Sequence, residues 1–183
     1  MPDTAGGDAE VYESIAEVLR GNREAFAAIV KRYQGLVYRL SLSYLGAAEE
    51  AEDATQEIFV RVFEACPRFR LGHRFHPWLY TIALNHLRSR RGRVLRLRSH
   101  RQEGADPEEL PAAAAADELD RDRIRAAVRL LPGTLREPVM LYYLEGLSTS
   151  EVAEVLGLGV ENVKSRLHRA RAKLRLLLQE EEG

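Results

Sequence analysis

The run from Gly146 to Arg171 constrains the fold of this chain more tightly than any other stretch. Ser148 stands where a helix N-cap is expected, and Glu151, three positions later, completes a capping box. Hydroxyl and carboxylate there each satisfy a backbone N–H that the helix itself leaves without a partner. Val152, Val155 and Leu156 supply an apolar stripe at helical spacing. Gly157 falls where a left-handed residue lets the chain turn without Cβ strain. Val160, Val163, Leu167, Ala170 and Leu174 then recur at intervals of three and four, the inward face of a second helix. Opposite that face lie Glu161, Ser165, His168, Arg169 and Ala172, flanked by Lys164, Arg166, Arg171, Lys173 and Arg175. No acid occurs between Asn162 and Leu178. A capped short helix, a glycine turn and a basic second helix together make a helix-turn-helix, shaped for the major groove of DNA.

A basic helix is often no more than a solvated cover on a core. Here cap, turn and one-signed charge coincide, which favours DNA. Groove geometry gives base contacts to the N-terminal half of the recognition helix. Ser165, His168 and Arg169 face outward there, with Lys164 beside them. Arg166 and Arg171 suit phosphates, which add affinity without sequence information.

At 183 residues the chain can hold one domain or two small ones. A formal net charge of −1 argues against a uniform nucleic-acid coat. The charge is segregated, however: seven arginines and no acid from His86 to Arg101, five acids and no base from Glu49 to Glu57. Such separation suggests different partners for different surfaces. The single cysteine, Cys66, excludes an intrachain disulfide framework, suits a reducing cytosol, and is more simply a packed small residue than a redox sensor. No apolar run approaches the roughly 20 residues that span a bilayer. Met1 to Glu10 lacks the basic and apolar regions of a signal peptide. A cytoplasmic protein without direct membrane insertion is expected. Arginine outnumbers lysine 24 to 3, a bias that genome composition alone can produce.

Periodicity is helical throughout. A first helix is expected over Ala9–Arg20, and Asn22 can cap a second whose stripe is Phe26, Ile29, Val30, Tyr33 and Val37, ending at Leu45 before Gly46. A third runs from Ala48 to Cys66, acidic at its start as the helix dipole prefers, with Ala54, Ile58, Val62 and Phe63 on its stripe. Pro67 to Pro77 reads as a loop, and a fourth helix starts near Trp78 with Leu79, Ile82, Ala83 and Leu87 inward. Gln102 to Asp117 holds Gly104, Pro107, Pro111 and five consecutive alanines, a linker composition, although the alanines can also extend the helix that follows. A further helix from Asp117 turns Ile124, Ala127, Val128 and Leu131 inward, Pro132-Gly133 breaks it, and Thr134–Leu144 is another amphipathic helix. The fold expected is all-α: two small helical domains, 1–93 and 118–183, joined by a flexible linker over 94–117, the second a helix-turn-helix.

This order of motifs resembles the extracytoplasmic-function (ECF) sigma factors, two-domain specificity subunits of bacterial RNA polymerase. The resemblance rests on Arg23-Glu24-Ala25-Phe26, on Ala51 to Phe59, on Phe75 to Asn85, on Leu131-Pro132 and on Val163 to Leu174. It extends from about Val18 to Leu178, and with nothing beyond Gly183 it implies none of the appended regulatory domains of some members. It implies that the first domain is sigma region 2 and the second region 4. The acidic third helix would dock on the polymerase clamp through Asp53, Gln56 and Glu57, as an acid-and-amide cluster suits an arginine-rich partner. The loop and fourth helix would open the minus-ten promoter region and capture a flipped non-template base. Phe69, Arg74, Phe75, Trp78 and Tyr80 would serve there as stacking surfaces and backbone charge for single-stranded DNA. An aromatic near a helix start is core more often than contact, and Trp78 reads as core before contact. Asn85 offers donor and acceptor to an unstacked base edge, and Arg88 and Arg91, with Arg90 and Arg93, would hold the strand backbone. Lys164, Ser165, Arg166, His168, Arg169 and Arg171 would meet the minus-thirty-five element. Members often carry proline or serine where this chain has Gly159, which bears on the rigidity of that helix start.

The expected linker can bridge the two elements. Its 24 residues, Val94 to Asp117, reach at most about 80 Å, against roughly 55 Å for about 16–17 base pairs. Core RNA polymerase, duplex and melted promoter DNA, and an anti-sigma factor, often membrane-anchored, are the partners implied. No cofactor and no small-molecule substrate are called for. The nearest alternative is a stand-alone helix-turn-helix repressor, which has no use for an acidic docking helix followed by an aromatic-basic loop. Catalysis is not expected. His73, His76 and His86 lie near one another in sequence, but no cysteine or carboxylate is spaced to complete a tetrahedral metal site, and no phosphate-binding glycine loop is present.

Overall fold

The computed structural model describes residues 4–70, 72–100 and 116–179, with side chains over 9–70, 72–92 and 123–179. Among these residues the fold is all helix, with no strand. It divides into two compact units, Met1–Arg88 and Ser89–Gly183.

In the first unit α1 spans Thr4–Leu19, α2 Phe26–Leu45, α3 Ala48–Ala65 and α4 Phe75–His100, which runs on past the unit's end. The α2 stripe buries Ile29, Tyr33, Val37, Leu40 and Tyr44, and α3 buries Ala51, Ala54, Ile58, Phe59 and Val62 against it. Each large apolar side chain so buried stabilises by about 1.5–3 kcal/mol. Gly46 ends α2 at φ +93°, where its N–H caps the Leu42 carbonyl. Asn22 does not cap as expected. Its side chain makes no cap bond, and its Nδ2 instead donates to Glu17 Oε2 at 3.4 Å. Phe26, Val30, Phe63 and Ile82 are only half-buried at the edges of their stripes. Cys66, at the end of α3, is fully buried. Burial pushes its thiol up to about 11, so it stays protonated and unreactive at neutral pH.

The fourth helix starts at Phe75, ahead of the expected Trp78. Pro77 falls in its first turn, where a missing N–H costs no helical hydrogen bond. The helix also runs past Arg93 to His100, so the segment expected as linker begins helical; 101–115 lie outside the described residues.

In the second unit α5 spans Ala116–Leu130, α6 Gly133–Val139, α7 Thr149–Leu156 and α8 Val160–Gln179. Its core joins Ala127, Val128, Leu131, Val139, Met140 and Leu141 to Val152, Val155, Val163, Leu167 and Ala170. Ile124, expected inward, is 46% exposed, whereas Ala127 and Val128 of α5 and Leu131 just after it are buried as expected. Val160, the first residue of α8, is also exposed, and Leu174 and Leu156 are half-buried. The amphipathic helix expected over Thr134–Leu144 is broken in character. After Pro138 it widens into a π turn, Met140–Leu144, closed by the Glu145 N–H on the Met140 carbonyl at 3.1 Å.

Candidate nucleic-acid and polymerase interfaces

The helix-turn-helix forms as its residue types require. The Glu151 N–H donates to Ser148 Oγ at 3.3 Å, and the Ser148 N–H donates to Glu151 Oε2 at 2.8 Å. Gly157 is left-handed at φ +65°, and the Leu158 N–H closes the helix end on the Ala153 carbonyl at 2.9 Å. The Gly159 carbonyl then accepts from Asn162 and Val163 at 3.0 and 3.1 Å, opening α8.

On α8, Val163, Leu167 and Ala170 are buried, which turns Ser165, His168 and Arg169 outward together. All three are exposed, as are Lys164 and Arg171. Lys164 Nζ meets Glu161 Oε1 at 2.7 Å in an exposed pair that costs little to break. Arg171 Nη1 donates to the Tyr143 hydroxyl at 3.3 Å. Arg166 differs from its neighbours. It is half-buried, and its Nε donates to Asn162 Oδ1 at 2.9 Å and its Nη1 to the Thr134 carbonyl at 3.5 Å.

In the first unit Asp53, Gln56 and Glu57 share an exposed face of α3, with Val60, 58% exposed, one turn on. Glu57 Oε2 stands 3.0 Å from Nε2 of His86, a buried side chain of α4 that sequence reasoning set aside as a stray metal-ligand candidate. A residue of the acidic face of α3 thus lies against α4. Asn85, next to His86, is exposed, and its Oδ1 accepts from Arg88 Nη1 at 3.1 Å, so the two present themselves as one unit. Arg88 and Arg74 are exposed and Arg91 half-buried.

The aromatic residues do not stand with them. Phe75 is fully buried, Tyr80 is 1% and Phe69 6% exposed, while Trp78 is half-buried. Phe69 packs on Trp78 at 4.8 Å between ring centroids and on Phe75 at 5.7 Å, and Phe75 meets Tyr33 of α2 at 5.1 Å. Tyr12 of α1 stacks on Phe69 at 6.1 Å, and its hydroxyl donates to the His73 carbonyl at 2.8 Å, tying down the loop. This corrects the expectation that Phe69, Phe75 and Tyr80 present faces to a melted strand. Phe69 against Tyr12 of α1 and Phe75 against Tyr33 of α2 hold the loop and the start of α4 onto those helices instead. Tyr12 carried no sequence signal beyond its place on an amphipathic helix. Of the three histidines, His73 is exposed and the His76 ring lies edge-on to Tyr33. Among the described residues no group of three or more His, Cys, Asp or Glu is placed to hold a metal ion.

A sigma-70 region 2 family model matches residues 29–101, and a sigma-70 region 4 model matches 121–174. The ECF RNA polymerase sigma factor SigW of Bacillus subtilis is 32% identical, over 93% of this chain and 97% of its own length. This chain belongs to the ECF sigma factors. The sigma-H factor of Pseudomonas aeruginosa is 33% identical over 90% of this chain and 92% of its own. Among solved structures, CnrH in complex with the cytosolic domain of CnrY matches with a TM-score of 0.69 at 29% identity, over 91% of this chain and 96% of that one. The sigma factor RpoE with the anti-sigma factor NepR from Bartonella quintana matches with a TM-score of 0.69 at 25% identity, over 84% and 96%.

As an ECF sigma factor the protein binds core RNA polymerase and directs promoter-specific transcription initiation. A stand-alone repressor is not favoured, because both sigma regions are present in one chain. Sigma factors are DNA-binding regulators and not, as a class, enzymes. Among the described residues no helix is long and apolar enough to cross a membrane.

Proposed function

We propose that this sigma factor divides promoter recognition between two sets of side chains. The observation that carries the reading is the joint exposure of Ser165, His168 and Arg169 on the outward face of α8, which carries no acid after Glu161 in its first turn. Ser165, His168 and Arg169 read the minus-thirty-five element in the major groove, with Lys164 released from Glu161 to join them. Arg171 holds a phosphate. In the first unit, Asn85 takes the edge of a flipped non-template base at the minus-ten element, and Arg88, Arg91 and Arg74 steady the strand. Of Phe69, Phe75, Trp78 and Tyr80, Trp78 alone is half-buried and keeps surface for a base. Asp53, Gln56 and Glu57 dock on core polymerase.

Residues 1–93 then serve as region 2, 118–183 as region 4 and 94–117 as the connection. The protein acts in the cytoplasm, without intrinsic catalysis and without a cofactor. Relatives of the same fold are held by an anti-sigma factor, as RpoE is by NepR. An equivalent partner masks the exposed faces of this chain until a signal arrives. Run-off transcription with core polymerase and genomic promoter fragments tests the reading. Initiation from a discrete set of fragments is expected, lost with Arg169→Ala at the level of promoter choice and with Asn85→Ala at the level of opening. Unchanged promoter choice and opening in both variants would overturn the assignments.

A further inference from the structure

In an α-helix the carbonyl of residue i accepts from the N–H of residue i+4. Pro138 lies four residues after Thr134 inside α6 and has no N–H to give. The Thr134 carbonyl instead receives Arg166 Nη1, 32 positions away on the recognition helix, at 3.5 Å. The same guanidinium donates through Nε to Asn162 Oδ1 at 2.9 Å, one turn back on its own helix. Arg166 is half-buried, whereas Lys164, Ser165, His168 and Arg169 around it are exposed.

We infer that Arg166 is a positioning residue, a strut that fixes α8 against α6 through the carbonyl that Pro138 leaves without its helical donor. A guanidinium presents donors in a rigid planar fork, so one side chain can bridge its own helix and a neighbour at a set angle. The bond to Asn162, at 2.9 Å, is short and charge-assisted and aims the fork, while the contact with Thr134, at 3.5 Å, is long and sets direction more than strength. Arg166 thereby sets the pitch at which Ser165, His168 and Arg169 are offered to the groove, and it contributes to promoter affinity through them rather than through a phosphate. Pro138, the residue that disturbs α6, is what creates the socket. The inference rests on the reading of α8 as the recognition helix only for its DNA arm.

The test is a double-mutant cycle on the full chain, read by the urea midpoint of unfolding. Arg166→Ala lowers the midpoint. Pro138→Ala returns an N–H to the Thr134 carbonyl, so the loss caused by Arg166→Ala shrinks by at least half in that background. The cycle subtracts whatever the loss of the buried proline ring costs alone. Additive losses would overturn the strut. Arg166→Lys, which keeps the charge and loses the fork, lowers the midpoint as Arg166→Ala does; a midpoint equal to that of the unaltered chain would overturn the strut. If the Pro138 variant does not fold, Asn162→Ala replaces it, and its loss is less than additive with that of Arg166→Ala; full additivity again sinks the strut.

The DNA arm uses holoenzyme and a duplex that the unaltered holoenzyme selects from a randomised pool. Arg166→Ala weakens binding while the slope of log affinity against log salt stays unchanged. A slope reduced by about 1 would identify a phosphate contact and overturn the inference. Because unfolding of the free chain needs no promoter, a failed cycle refutes the strut. Failure of the holoenzyme to select any duplex refutes the promoter reading instead.

Discussion

On α8 of the second unit the outward residues Ser165, His168 and Arg169 lie in the open, while just before and at the start of α4 in the first unit Phe69, Phe75 and Tyr80 lie inside. Both segments combine arginines with residues able to contact bases. The difference is that an arginine can scarcely be buried unpaired, whereas a ring has two uses. In these two segments charge reads outward from the pattern alone, although Arg136 elsewhere is 3% exposed; an aromatic side chain takes its role from whatever the tertiary structure sets beside it. Even among the arginines the rule has a graded exception in Arg166, whose two protein partners hold it half inside.

The largest effect is expected at Phe75. With its ring fully buried against Tyr33, Phe69 and Trp78, Phe75→Ala should cost about 3–5 kcal/mol of stability in urea unfolding. A variant that folds as well as the parent yet fails to open promoters would return the ring to the DNA side. Arg169→Ala marks the opposite case. It should leave unfolding unchanged and cost about 1–3 kcal/mol of promoter discrimination, measured as holoenzyme affinity for the selected duplex against one with the contacted base changed. Ser148→Ala removes the capping box and should cost about 1 kcal/mol of stability; a loss of base discrimination beyond that would mean that the cap shapes the groove contact as well. The smallest effect is expected at Gly159. No atom lies within 4 Å of a Cβ placed there, so Gly159→Ser gains a capping hydroxyl and a few tenths of a kcal/mol, read as a small rise in thermal midpoint.

Local rules carried a large share of the fold. The ends of α2 and α3 follow from Gly46 and the dipole-matched acids, and α7 from a capping box written in Ser148 and Glu151. They failed where one residue type serves opposite ends. Pro77 looks like a loop residue but sits in a first helical turn, and Pro138 lies inside a helix that tolerates it by widening into a π turn. The surface positions of Ser165, His168 and Arg169 were legible from periodicity, while Asp53, Gln56, Glu57 and Asn85, also exposed, were pointed to by the family resemblance. The ties between elements were not: His86 on Glu57, Tyr12 on the loop carbonyl of His73, Arg166 on Thr134. Each joins residues far apart in sequence, and no spacing rule encodes which carbonyl or carboxylate a distant side chain will meet.

In the division proposed above, duplex reading and strand capture belong to separate side chains on separate units. That division is tested most directly by transcription from one promoter in two forms, fully paired and with a pre-opened bubble at the minus-ten element. Holoenzyme carrying Asn85→Ala should be defective on the paired template and largely restored by a bubble that keeps the remaining contacts. Holoenzyme carrying Arg169→Ala should stay impaired on both at limiting DNA. Equal restoration of the two variants by the bubble would contradict the division.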